Sequence, residues 1–131
     1  MMNTNSQPLI SIITVVYNGI ADIEATIRSV VFQKYPHIEY IVIDGGSTDG
    51  TVDVIKKYEE HITYWVSEND RGIYDAMNKG IIHATGEWIH FRNCGDYFVS
   101  SRSVCEMFKE AIPIDVDIIH GDLQAGGIRK A

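Results

Sequence analysis

Apolar and polar positions alternate in blocks along this chain. Residues 9–16 (LISIITVV) form an almost unbroken apolar run rich in Ile and Val. That pattern predicts a strand covered on both faces, as in a parallel sheet. Tyr17-Asn18-Gly19 breaks the run. Over residues 20–34, Ile23, Ile27, Val30 and Val31 draw one helix face. Tyr35-Pro36 ends it, because proline disfavours helical geometry in the residue before it. Residues 38–43 (IEYIVI) read as a second strand, stopped by Asp44-Gly45-Gly46. Ser47, Thr48 and Asp49 are good helix caps, and residues 51–60 follow with Val52, Ile55 and Tyr58 turned inward. Residues 62–66 (ITYWV) predict a third strand, and a polar loop runs from Glu68 to Gly72. Residues 73–84 carry Ile73, Met77 and Ile81 at helical spacing. Residues 87–91 (EWIHF) predict a fourth strand, alternating enough to leave one face less buried. Asn93-Cys94-Gly95-Asp96 ends it. Residues 101–111 read as a helix with Val104 and Phe108 apolar, and 116–119 as a fifth strand closed by Gly121-Asp122. Residues 124–131 show little pattern. Strands alternating with helices predict an α/β fold: a mostly parallel sheet with flanking helices and right-handed crossovers.

Composition narrows the functions such a fold can serve. The 131 residues suit one domain. Eleven Lys and Arg against eighteen Asp and Glu leave a net charge of −7. An acidic chain without a basic stripe repels a nucleic-acid backbone, so no nucleic-acid partner is expected. A small anionic ligand is compatible, provided that a cation mediates. Cys94 and Cys105 make neither a metal-ligand spacing nor a disulfide scaffold, as in a reduced cytoplasmic protein. The start is polar, without a signal-peptide layout. No apolar run approaches the ~18 residues of a membrane span, which leaves only peripheral attachment.

The polar clusters fall in register with the strands. Asn18, Asp44, Glu68 to Arg71, Asn93 to Asp96 and Asp122 each follow a predicted strand. In open parallel sheets the carboxyl ends of the strands form the ligand crevice. Asp44-Gly45-Gly46-Ser47-Thr48-Asp49-Gly50 is the most informative loop. Its glycines allow a close approach of backbone to ligand, and Asp44 at the strand tip can accept hydrogen bonds from a base or ribose. For Asp49, helix capping and ligand contact stand level. The loop matches neither GxGxxG nor GxxxxGK[ST], so a nicotinamide cofactor and a Walker-type site lose support. Asp96 suits a divalent ion, which prefers oxygen and often takes one or two carboxylates plus substrate phosphates. Arg71 can meet a phosphate or a base edge at a helix N-terminus. Asp75 and Asn78, three apart, share a face. The five histidines make no zinc pair, His90 reads as a structural histidine within its strand, and no GxSxG elbow is present.

Taken in order, these motifs resemble family 2 glycosyltransferases of the GT-A fold. Ser11 to Asn18 (SIITVVYN) looks like that family's first strand and nucleotide loop, and residues 41–51 (IVIDGGSTDGT) like its second. Residues 72–80 (GIYDAMNKG), followed by Ala84-Thr85-Gly86-Glu87-Trp88, resemble a branch used in bacterial surface-polysaccharide assembly. The resemblance implies a Rossmann-like, nucleotide-binding half. Thr14, Val16, Tyr17 and Asn18 would line the nucleoside pocket, with Gly46 and Ser47 in the second loop. Asp44 would hold the base, with Arg71 nearby. Asp75 and Asn78 would face the diphosphate or the sugar, as would Asn93 and Gly95. Asn93 and Gly95 stand where the family's DxD-type motif has acidic positions, which leaves Asp96 as the ligand for Mn2+ or Mg2+.

The expected activity is transfer of a sugar from a nucleotide-sugar donor, a UDP-sugar, to a hydroxyl of a saccharide or lipid-linked acceptor, metal-dependent and with inversion. The expected place is the cytoplasm, with the inner face of the cell membrane as the one membrane contact left open. The family's acceptor-side general base lies in a segment well beyond the metal motif. Residues 1–131 therefore read as a single, C-terminally truncated GT-A domain with no identified catalytic base. Two rivals follow: a nucleotide-sugar-binding module without catalysis, and a nucleotidyltransferase. The second would normally carry a basic phosphate loop near the N-terminus, and Tyr17-Asn18-Gly19 has no adjacent Lys or Arg.

Overall fold

The computed structural model describes residues 7–107 throughout and the backbone of 118–119 and 127–129. The strands are β1 (Ile10–Val16), β2 (Ile38–Asp44), β3 (Tyr64–Ser67), β4 (Trp88–Phe91), β5 (Ile118–Ile119) and β6 (Gly127–Arg129). The helices are α1 (Ile23–Val31), α2 (Thr51–Lys57), α3 (Ile73–His83) and α4 (Ser103–Met107), with a single 3-10 turn at Glu59–His61 after α2. The sheet order is β3-β2-β1-β4-β6-β5. β1 pairs in parallel with β2 and β4, and β2 with β3. The predicted mostly parallel sheet with flanking helices is therefore present.

Alternate side chains of the central strands feed two separate cores. Ile10, Ile12, Tyr40 and Val42 pack with Ile23, Ile27 and Val30 of α1 and Ile55 of α2. Ile13, Val15, Ile41 and Ile43 pack on the opposite face with Ala76 of α3 and Ile89 of β4. Two covered faces explain why β1 reads as a continuous apolar run rather than an alternating one.

Four expectations change. β4 buries Trp88, Ile89 and His90, so both of its faces are covered and neither is a solvent face. The fully buried face of α3 is made by Ala76 and Gly80, with Met77 and Ile81 partly buried beside them. Ile73, the first residue of the predicted stripe, is 52% exposed. The third strand begins at Tyr64 rather than Ile62, because residues 59–61 wind into the 3-10 turn. The stretch without pattern contains β6, antiparallel to both β4 and β5. Phe108, Gly121 and Asp122 lie outside the described residues.

Candidate functional site

Backbone pairing continues past the strand ends. The Gly45 N–H donates to Val16 O at 2.9 Å and the Glu68 N–H to Asp44 O at 3.0 Å. On the other side of β1, the Arg92 N–H reaches Ile13 O at 2.8 Å and the Cys94 N–H reaches Val15 O at 3.1 Å. Four loops are thereby held side by side at one rim, the carboxyl end of the parallel strands.

The loop after β2 is built around Asp44. This side chain is fully buried. Its carboxylate accepts hydrogen bonds from the Gly46 and Ser47 N–H groups and from the Ser47 and Ser67 hydroxyls, at 2.6–3.0 Å. The loop after β1 is stapled to it: the Asn18 N–H donates to Ser47 Oγ at 2.6 Å, and Asn18 Oδ1 accepts the Thr48 N–H at 2.8 Å. Asn18 holds a left-handed backbone, φ 49°, one of the few conformations in which asparagine replaces glycine at little cost. Asp49 accepts the hydroxyl and N–H of Thr51 and the Ile20 N–H. These bonds, the Thr51 hydroxyl foremost, hold its carboxyl below the usual carboxylate range. Asp49 thus ties α2 to the loop after β1.

Between these loops and the start of α3 lies a cleft of about 440 Å³, lined by Val15, Val16, Tyr17, Gly45, Asn69, Asp70, Gly72, Ile73 and Ala76. Its walls are mostly apolar and its charged group is one carboxylate, the usual make-up of a small-molecule site. Tyr17 is 66% exposed at its edge. At the start of α3, the Arg71 N–H donates to Asp75 Oδ2 and the Gly72 N–H to Asp70 Oδ1, both at 3.0 Å. Lys79 pairs with Glu68 at 3.2 Å.

The loop after β4 makes a tight turn in which the Asp96 N–H donates to Asn93 O at 2.8 Å. The Gly95 N–H anchors it to Thr26 Oγ1 of α1 at 3.1 Å. The Asp96 side chain is exposed, whereas Asn93 Oδ1 is buried with no hydrogen-bond partner. Between them, burial pushes the Cys94 thiol up to about 11, assisted by the charges of Asp22, Asp49 and Asp96. This rim is acidic, so a diphosphate approaching it needs a counter-charge. Among the described residues, no three His, Cys, Asp or Glu side chains gather as a metal site. The Asp96 carboxylate and the orphaned Asn93 Oδ1 are nonetheless hard oxygen donors on one turn. They fit a cation such as Mn2+ or Mg2+ that takes its other ligands from phosphate and water.

The candidate residues divide by position. Val16 and Tyr17 line the cleft, and Asn18, Asp44, Gly46 and Ser47 form the interlocked turns beside it. Thr14 is fully buried within the sheet, bonded to the Tyr40 hydroxyl at 2.8 Å and Arg92 O at 2.6 Å, and does not reach the cleft. Arg71 and Asn78 are exposed outside the lining, and Asp75 bonds the Arg71 backbone. Asn93, Gly95 and Asp96 share the neighbouring turn. Sequence reasoning passed over Gly45, Asn69, Asp70 and Ile73. Asn69 and Asp70 carried the same signal as the others, a polar pair just after a strand, but only Arg71 of that loop was singled out.

The family described as Glycosyl transferase family 2 matches residues 11–128. An uncharacterized glycosyltransferase of Mycobacterium tuberculosis is 45% identical over 94 residues, covering 71% of this chain and 36% of the relative. The Bacillus subtilis glycosyltransferase TuaG, named for teichuronic acid biosynthesis, is 40% identical over 98 residues, covering 71% of this chain and 38% of its own. The solved structure of mannosyltransferase PcManGT from Pyrobaculum calidifontis, in complex with GDP-Man and Mn2+, superposes with a TM-score of 0.78. It is 26% identical, over 86% of this chain and 34% of that one. The chain thus spans a little over a third of the length of these proteins.

Proposed function

The chain belongs to glycosyl transferase family 2, and from that premise we propose that it is the donor-binding part of a metal-dependent glycosyltransferase of polysaccharide biosynthesis. One observation carries this reading. The cleft lies at the carboxyl ends of β1, β2 and β3 and is closed by the start of α3, where an open parallel sheet binds nucleotides. The GT-A likeness to a protein holding GDP-Man and Mn2+ supports a nucleotide-sugar donor and a divalent ion. The likeness to TuaG supports a surface-polysaccharide acceptor.

In this reading the base and ribose enter the cleft beside Tyr17, and the diphosphate turns toward the loop after β4. Asp96 and Asn93 would hold the cation there. When bound, such an ion stabilises the charge that develops on the leaving diphosphate. An acceptor hydroxyl then attacks the anomeric carbon from the opposite face, the bond to the diphosphate breaks, and the configuration inverts. Our donor is a UDP-sugar, with GDP as the alternative that the mannosyltransferase likeness favours. The acceptor hydroxyl gives up its proton to a general base, a role that no residue is assigned among the described residues. We place the protein in the cytoplasm, at the inner membrane face where a lipid-linked acceptor would lie. Among the described residues no helix is long and apolar enough to cross a membrane.

Calorimetric titration of UDP with and without Mn2+, on the wild type and on Asp96→Ala, tests this. Wild-type binding is expected to need Mn2+ and to weaken at least about tenfold, some 1.4 kcal/mol, in the variant. Equal affinity in all four titrations sinks the metal assignment. Tight binding of GDP in place of UDP overturns the donor.

A further inference from the structure

Gly45 and Asp70 occupy one space. A Cβ built on Gly45 would lie 2.8 Å from Asp70 Oδ2 and 3.2 Å from both Cγ and Oδ1. The Asp70 carboxylate therefore lies against the bare backbone of the β2 tip, and both residues line the cleft. Asp44, the carboxylate that the sequence offers at that tip, is unavailable to a ligand, since it is fully buried and saturated by four donors. Asp70 Oδ1 accepts the Gly72 N–H at 3.0 Å, which fixes the carboxylate at the cleft wall with Oδ2 against Gly45. The other lining side chains are apolar except for the Tyr17 phenol and the Asn69 amide.

We infer that Asp70 selects the base of the donor nucleotide, in the space that Gly45 leaves for it, and that it favours bases with a ring N–H on their pairing edge. The inference rests on the donor-binding reading above. An ionised carboxylate only accepts hydrogen bonds. Uracil presents N3–H and guanine N1–H, so each can donate to Oδ2. Cytosine N3 and adenine N1 present lone pairs, which a carboxylate repels. Selectivity then arises as much from rejecting the wrong edge as from bonding the right one. A half-buried acceptor in a mostly apolar cleft sharpens that difference.

The test titrates UDP, GDP, CDP and ADP, each with Mn2+, into the wild type, Asp70→Asn and Gly45→Ala. Asn at 70 keeps an oxygen for the Gly72 N–H but adds a donor and removes the charge. Ala at 45 leaves Asp70 in the sequence and displaces its carboxylate, the far end of a flexible side chain. The wild type is expected to bind UDP or GDP at least about tenfold more tightly than CDP and ADP. Both variants are expected to bring the ratio to within about threefold while keeping the wild-type melting temperature. Wild-type selectivity retained in both variants overturns the inference and leaves the donor-binding reading standing. So does a wild type that binds all four alike. A wild type that binds none of the four overturns both.

Discussion

His90 carries a titration that the sequence does not announce. Its ring is 3% exposed, and Nε2 lies 2.6 Å from the Arg92 guanidinium. A guanidinium only donates, so Nε2 accepts and the ring proton sits on Nδ1, which has no hydrogen-bond partner among the described residues. Phe98 stacks on the imidazole at 5.4 Å and lies 4.2 Å from the Arg92 guanidinium carbon. Burial, and then the Arg92 charge, pulls the His90 pKa down to about 3. Below pH 6.5 the unfolded chain takes up a proton that the folded chain refuses, so stability present above pH 6.5 is lost as pH falls toward 3. Between pH 6.5 and 5 this loss approaches about 1.4 kcal/mol per pH unit, or about 2 kcal/mol in all. Urea unfolding across that window should show the slope in the wild type and a much flatter one in His90→Gln, whose amide oxygen can accept from Arg92. Identical slopes would mean that His90 is solvated and titrates normally.

At the scale of elements, α3 sets one wall of the cleft, and how closely it packs depends on Gly80. A Cβ there would lie 2.5 Å from Ile13 Cγ2 on β1, an atom too near its own backbone to swing aside. Gly80→Ala gains about 1 kcal/mol of helix propensity but incurs an overpacking cost of about 1–3 kcal/mol. The expected result is a net loss of about 1 kcal/mol in urea unfolding and weaker UDP binding, because Ala76 moves outward with the helix. A more stable variant with unchanged affinity would show that the helix shifts freely. The same contact explains what the sequence hid about α3. A periodicity of large apolar residues points to Ile73, Met77 and Ile81, but the helix lies so close to the sheet that alanine and glycine take its fully buried positions, with Met77 and Ile81 at their flank. Ile73 is left to the cleft. β1 and β2 were legible because two covered faces demand unbroken Ile and Val. β6 was not, because a three-residue strand, Gly-Ile-Arg, is too short to show a period. The site was legible as a rim of polar strand ends. The division of labour within it was not: which carboxylate is consumed by its own turn, as Asp44 is, and which lines the cleft, as Asp70 does, depends on hydrogen bonds between loops far apart in sequence.

For the whole molecule, net charge decides how a dianionic ligand arrives. The chain carries −7, and Asp22, Asp49 and Asp96 are close enough together to act on one thiol. The cations nearest the cleft do little to offset this: Arg71 is exposed outside the lining, and Lys79 is paired with Glu68. Without a divalent ion, UDP and the rim repel. Salt shortens the screening length from about 10 Å at 0.1 M to about 3 Å at 1 M, so residual UDP binding in EDTA should tighten several-fold between these limits. With Mn2+ bound, attraction through the ion outweighs that repulsion, and the same salt series should weaken binding. Uridine, which keeps the base and ribose but has no diphosphate, should bind weakly and respond to neither salt nor metal. These three responses separate the two ends of the donor. The uridine series reads the apolar cleft with Asp70, and the difference between UDP and uridine reads the rim with Asn93 and Asp96. Should metal-free UDP binding instead weaken with salt, Arg71 or Lys79 must hold the diphosphate directly, and the cation would no longer be needed to bring an anion to an acidic protein.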